Sequence, residues 1–107
     1  MLSQLDTKFK SLDIFKQRKA SETYREIVFF NKDVKKWDRI LSGKLGSPVT
    51  SKWGRPDKSV EKLTRKFGGI RKGQTIYVKQ YDNCSIIAMV WPWKDKQHST
   101  LKVSMVN

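Results

Sequence analysis

RKGQTIYVKQYDNCSIIAMVWPWKDKQHSTLKVSMV, residues 71–106, is the stretch that decides the fold. Two runs of strand-forming residues, Thr75–Tyr81 and Cys84–Trp91, flank the pair Asp82-Asn83. Asn and Asp tolerate positive φ, so a two-residue link of this kind predicts a tight hairpin. That hairpin pairs Tyr81 with Cys84, Lys79 with Ile86 and Tyr77 with Ala88. Pro92 cannot donate to a ladder and is expected to end the second strand. Lys94–Ser99 is polar and reads as a loop. Thr100–Val106 alternates again and completes an antiparallel meander.

Side chains alternate across a strand, so each strand offers two faces. Ile76, Val78, Ile87, Met89 and Trp91 form one wholly apolar set, and Leu101, Val103 and Met105 extend it. This set is expected to face the core. Tyr77, Lys79, Tyr81, Ile86, Ala88 and Val90 form a mixed set. It is expected outside, with Lys102 close to Tyr77, Lys79 and Tyr81.

Working outward, Leu2 to Arg18 reads as an amphipathic helix, with Leu2, Leu5, Phe9 and Leu12 at helical spacing. Lys19–Thr23 is a polar connection. Tyr24–Phe30 reads as a short strand. Asn31 or Asp33 is placed to cap a helix over Val34–Leu45, whose apolar face is Val34, Trp37, Ile40, Leu41 and Leu45. Gly46 is the natural left-handed stop, and Pro48 prevents continuation. Val49–Trp53 reads as a short strand and Asp57–Phe67 as a third helix, closed by Gly68-Gly69. The whole is one α+β domain over residues 1–107. It has a mainly antiparallel sheet, a C-terminal three-stranded meander and about three helices packed on one face.

The chain of 107 residues carries a formal charge of +13, which implies attraction to polyanions such as RNA, DNA, an anionic membrane surface or an acidic protein. Nearly half of that charge lies between Lys52 and Lys72, where eight basic residues face two acidic ones. Four Trp, three Tyr and five Phe supply bulky core material, which excludes global disorder. The single Cys84 cannot form an internal disulfide, and a structural zinc site lacks its ligands. The N-terminus spaces its apolar residues and does not read as a secretory signal. No apolar run is long enough to span a bilayer. A cytoplasmic protein, monomeric or a weak dimer through an exposed strand edge, is the expectation.

Lys58, Lys62, Arg65 and Lys66 fall on one arc of the third helix, and Arg71, Lys72 and Lys79 follow it. Lysine and arginine neutralise phosphates. Tyr77 and Tyr81 are candidate platforms for unpaired bases. The leading expectation is therefore a non-enzymatic nucleic-acid-binding domain, for RNA before DNA, that uses these residues. The alternative is a protein-interaction or regulatory module of the kind phages and plasmids encode, with Trp91 and Trp93 as its contact. A third reading is a small RNase. Its proton carrier would be His98, the one side chain suited to proton transfer at neutral pH; Arg65 or Arg71 would stabilise charge. No cofactor, metal site, phosphate loop or paired nucleophile is legible, and Cys84 reads as a structural thiol.

Overall fold

The computed structural model describes residues 2–49, 65 and 73–106. The elements run α1 (Leu2–Phe9), β1 (Ile14–Ala20), β2 (Tyr24–Phe30), a 3-10 turn (Asn31–Asp33), α2 (Val34–Leu45), β3 (Thr75–Gln80), β4 (Ser85–Pro92) and β5 (His98–Val106). The strands form one five-stranded sheet in the order β1-β2-β5-β4-β3, and each neighbouring pair is antiparallel. This is the expected α+β class. The expected third helix and the strand over Val49–Trp53 lie outside the described residues, apart from Val49 and Arg65.

The meander forms in the expected register. Tyr77 faces Ala88 and Lys79 faces Ile86, and Tyr81 N–H donates to Cys84 O at 2.7 Å across Asp82-Asn83. The turn does so without positive φ at either residue: among the described non-glycine residues only Lys96, in the β4–β5 loop, has it, at 61°. Pro92 is the last residue of β4.

The choice of core face was expected the other way round. Val90 pairs with Leu101 and Ala88 with Val103, while Met89 pairs with Lys102. Cross-strand partners share a face, so Leu101 and Val103 belong with Tyr77, and Lys102 lies on the opposite face. The helices pack on the Tyr77 face. There Leu5 and Phe9 of α1, and Trp37, Leu41 and Leu45 of α2, bury Ile27, Phe29, Tyr77, Ala88, Leu101 and Val103. Trp37 sits between Phe9 and Phe29, with ring centroids 4.9 and 4.7 Å away. Such aromatic pairs add about 0.5–1.5 kcal/mol each beyond the area they bury. The opposite face holds a smaller cluster of Ile76, Ile87 and Met89, packed with Val49, Val78, Trp91 and Val106. Central strands are apolar on both sides, so alternation within the meander could not say which side takes the helices.

The N-terminal segment departs from a single helix over Leu2–Arg18. The helix stops at Phe9, after Leu2, Leu5 and Phe9 have been buried. Ser11 Oγ donates to Lys8 O at 2.8 Å and Leu12 N–H to Phe9 O at 3.0 Å, which closes the last turn. Ile14–Ala20 is instead the edge strand β1, paired with β2 through two register shifts. Its backbone bonds come from a partner in the sheet, and that partner overrides a weak helical periodicity. Arg25 grips Asp6 with Nε at 3.1 Å and Nη2 at 2.9 Å, tying α1 to β2.

Helix α2 keeps its expected limits. Gly46 ends the helix with φ 88°, which favours glycine, but its ψ of 178° is extended and not that of the expected left-handed stop; its N–H donates to Ser42 O at 2.9 Å. The expected caps are not used: the Asp33 side chain stands at the N-cap without a capping hydrogen bond and pairs with Lys36 at 3.7 Å, and Asn31 accepts the Ser99 hydroxyl instead. Val34, expected on the apolar stripe, is exposed.

Candidate nucleic-acid interface

The two-residue alternation of β1 and β2 projects one set of side chains away from the helices, at the corner where the β4–β5 loop returns. Four rings meet there. Phe15 lies 4.4 Å from the His98 ring, 5.7 Å from Phe30 and 6.5 Å from Trp93, measured between centroids. Trp93 lies 5.2 Å from His98. Phe30 and His98 are opposite each other in the β2–β5 ladder, which sets that pair. The first β1 irregularity falls between Ile14 and Lys16 and turns Phe15 onto the same corner. Phe15 remains 48 % exposed, the largest value among the exposed large hydrophobic residues described.

The corner is cationic. All seven residues of β1 are exposed, and Lys16, Arg18 and Lys19 are among them. The Arg18 guanidinium sits 5.4 Å from the Trp93 ring centroid, and Lys32 Nζ sits 5.7 Å from Phe30. Further along this face Lys102 Nζ lies 5.1 Å from the Trp91 ring. The neighbouring carboxylates are occupied. Glu26 accepts the Tyr24 hydroxyl at 2.7 Å and lies 3.9 Å from Arg18; burial, helped by that hydrogen bond, raises the Tyr24 pKa well above the ordinary tyrosine range.

The β4–β5 loop holds His98 by its carboxylate neighbour. Asp95 Oδ1 accepts the backbone N–H of Gln97 at 2.8 Å and of His98 at 3.1 Å. Asp95 Oδ2 is 2.6 Å from His98 Nδ1. The hydrogen bond from His98 is the main reason that the Asp95 carboxyl stays ionised below its usual range. An ionised carboxylate can only accept, so Nδ1 carries a proton and Nε2 is the nitrogen left open in the neutral tautomer of the ring. Trp93 Nε1 donates to Thr100 Oγ1 at 2.8 Å, and Asn31 N–H donates to Gln97 O at 2.8 Å, so the loop is pinned on both sides.

Of the expected nucleic-acid contacts, Arg65, Tyr77, Lys79 and Tyr81 are among the described residues. Tyr77 is 2 % exposed, lies under α2 and donates its hydroxyl to Asp38, so it offers no face to a base. Burial, together with that hydrogen bond, pushes its pKa well above the ordinary tyrosine range. Tyr81 and Lys79 do come together at the exposed hairpin tip, with Lys79 Nζ 5.6 Å from the ring. Arg65 is exposed. Lys58, Lys62, Lys66, Arg71 and Lys72 lie outside the described residues. Trp91 and Trp93, the expected contact of the alternative reading, are both half-buried. Phe15, Lys16 and Arg18 fall at the end of the expected helix and Lys19 at the start of the expected connection, so helical spacing does not bring them together. The signal that could have found them is the pair of adjacent apolar residues Ile14-Phe15 ahead of a polar run, which breaks the helical spacing.

No group of His, Cys, Asp and Glu among the described residues is arranged to hold a metal ion. No helix among them is long and apolar enough to cross a membrane. The chain matches no protein-family model, no curated protein and no solved structure.

Proposed function

We propose that the chain binds nucleic acid, single-stranded RNA before DNA, across the corner built by β1 and the β4–β5 loop. One observation carries the reading: an edge strand of exposed residues presents Lys16, Arg18 and Lys19 beside a half-exposed Phe15 that rests on other rings. Cations on that strand neutralise backbone phosphates and release their counterions. Phe15 offers a π-face to an unpaired base, and base stacking on an aromatic ring contributes about 1–3 kcal/mol. Bases in a duplex already stack on one another, which favours a single strand. The charge of +13 supports a polyanion in general. Arg65 and the sequence-adjacent Lys58, Lys62, Lys66, Arg71 and Lys72 would supply further phosphate contacts. Lys79 and Tyr81 would form a second, smaller contact at the hairpin tip. The protein would act in the cytoplasm as a monomer or weak dimer.

Fluorescence anisotropy with labelled single-stranded RNA, single-stranded DNA and duplex DNA at two salt concentrations tests this. A Lys16/Arg18/Lys19→Glu variant and a Lys62/Arg65/Lys66→Glu variant separate the β1 surface from the other basic segment. Binding that weakens steeply with salt and is lost in the β1 variant supports the site. Binding lost only in the second variant moves the site to that segment. No binding at low salt removes the proposal. It would turn attention to an acidic protein partner, for which loss of capture on Trp93→Ala marks the Trp91–Trp93 contact.

A further inference from the structure

His98 is held in one orientation. Its Nδ1 is bonded to Asp95, its ring is fixed among Phe15, Phe30 and Trp93, and its side chain keeps 16 % exposure. Among the described residues no hydrogen bond reaches Nε2. Metal-independent RNA cleavage needs an oriented proton carrier and a cation near the phosphate, and here an imidazole bonded through Nδ1 to a carboxylate stands beside an exposed ring and an arginine. We propose that this corner cleaves single-stranded RNA, with His98 as the proton carrier, Asp95 as the residue that positions it and Arg18 as the cation facing the phosphate. The inference rests on the binding reading above.

The step balances within the substrate. His98 Nε2 accepts the proton of a ribose 2′-hydroxyl. The freed oxygen forms a bond to the adjacent phosphorus, and the bond from phosphorus to the 5′-oxygen breaks. The imidazolium returns its proton to that leaving oxygen. The products are a 2′,3′-cyclic phosphate and a 5′-hydroxyl, and no oxidant, metal or water is consumed. Arg18, whose guanidinium rests on the same Trp93 ring that packs against His98, is placed to meet the charge that gathers on the phosphate oxygens. Phe15, packed on the His98 ring, would hold a neighbouring base against the reacting ribose.

The test uses the full chain in the presence of a chelator and compares an oligoribonucleotide with the all-deoxy strand of equal sequence. Binding is followed by anisotropy in parallel with cleavage. The expected result is a cut RNA with cyclic phosphate ends and a bound but uncut DNA. At saturating protein, His98→Gln, purified identically, should cleave about 100-fold or more slowly. Added imidazole should restore cleavage to His98→Ala. Asp95→Asn should lower kcat while leaving KM close to its starting value, and Asp95→Glu should recover part of the loss. RNA that is bound but intact overturns the cleavage inference and leaves the binding reading standing. Absence of RNA binding overturns both. Cleavage that persists in His98→Gln, or that cuts the deoxy strand equally, also overturns it, whether or not the variants fold well.

Discussion

The Tyr77 hydroxyl donates to the Asp38 carboxylate across the seam between β3 and α2. The bond joins the two halves of the chain, since Asp38 precedes and Tyr77 follows residues 50–72. It also explains how a polar aromatic residue can face the helix layer: the ring is buried among apolar neighbours and the hydroxyl is satisfied at the rim.

This bond has an alkaline signature. Burial and Asp38 raise the Tyr77 pKa, so folding favours its protonated form. The resulting stability is fully present below the ordinary tyrosine value near 10 and is lost as pH rises from there towards the folded value. Ultraviolet titration should show Tyr77 and Tyr24 ionising later than a free tyrosine. Tyr77→Phe should remove one late group and cost about 1 kcal/mol in urea denaturation. Early ionisation of all three tyrosines would contradict the buried placement.

Trp37 offers a second test of the core. Its ring is fully buried, yet Nε1 has no hydrogen-bond partner among the described residues. Trp37→Phe gives up ring area but also removes an unsatisfied donor, so its cost should stay within about 1 kcal/mol. Trp37→Ala leaves a cavity between Phe9 and Phe29 and should cost about 3–5 kcal/mol. Equal losses in the two variants would show that the indole nitrogen does have a partner.

The β4–β5 loop should resist mild acid. The Asp95 carboxyl is held ionised below its ordinary range, chiefly by its hydrogen bond with His98. A depressed pKa stabilises the loop above the unfolded value near 4, and that stability is lost only as pH falls through the lower folded value. Backbone amide signals of Gln97 and His98 should keep their positions until that range is reached. In Asp95→Asn they should shift already at neutral pH.

Phe15 separates binding from folding. It is half exposed on an edge strand, so Phe15→Ala should cost less than about 1 kcal/mol of stability. Loss of a stacking face should weaken RNA binding by about 1–3 kcal/mol, or roughly 5- to 150-fold. A variant with intact stability and intact affinity would remove Phe15 from the interface.

Much of the fold can be followed from neighbouring residues. The limits of α2 come from the spacing of Trp37, Leu41 and Leu45 and from Gly46. The β3–β4 register comes from a two-residue link between two strand-forming runs. The end of α1 was not legible in the same way. Leu12 continues the stripe of Leu2, Leu5 and Phe9, and beyond the adjacent apolar pair Ile14-Phe15 only the pairing with β2 marks Ile14–Ala20 as a strand. The candidate site was hidden for that reason, since Phe15 and Arg18 reach Trp93 and His98 only through the β1–β2–β5 ladders.

By itself the sequence determined the charge, the hairpin and the length of α2, because each depends on composition or on residues within a few positions of one another. Tertiary structure decided which face of the meander meets the helices, that Ile14–Ala20 is a strand, and that Tyr77 is buried while Phe15 is exposed. Those outcomes depend on pairings between segments far apart in the chain. Alternation along one strand defines two faces equally well, and only the packing of α1 and α2 breaks the tie.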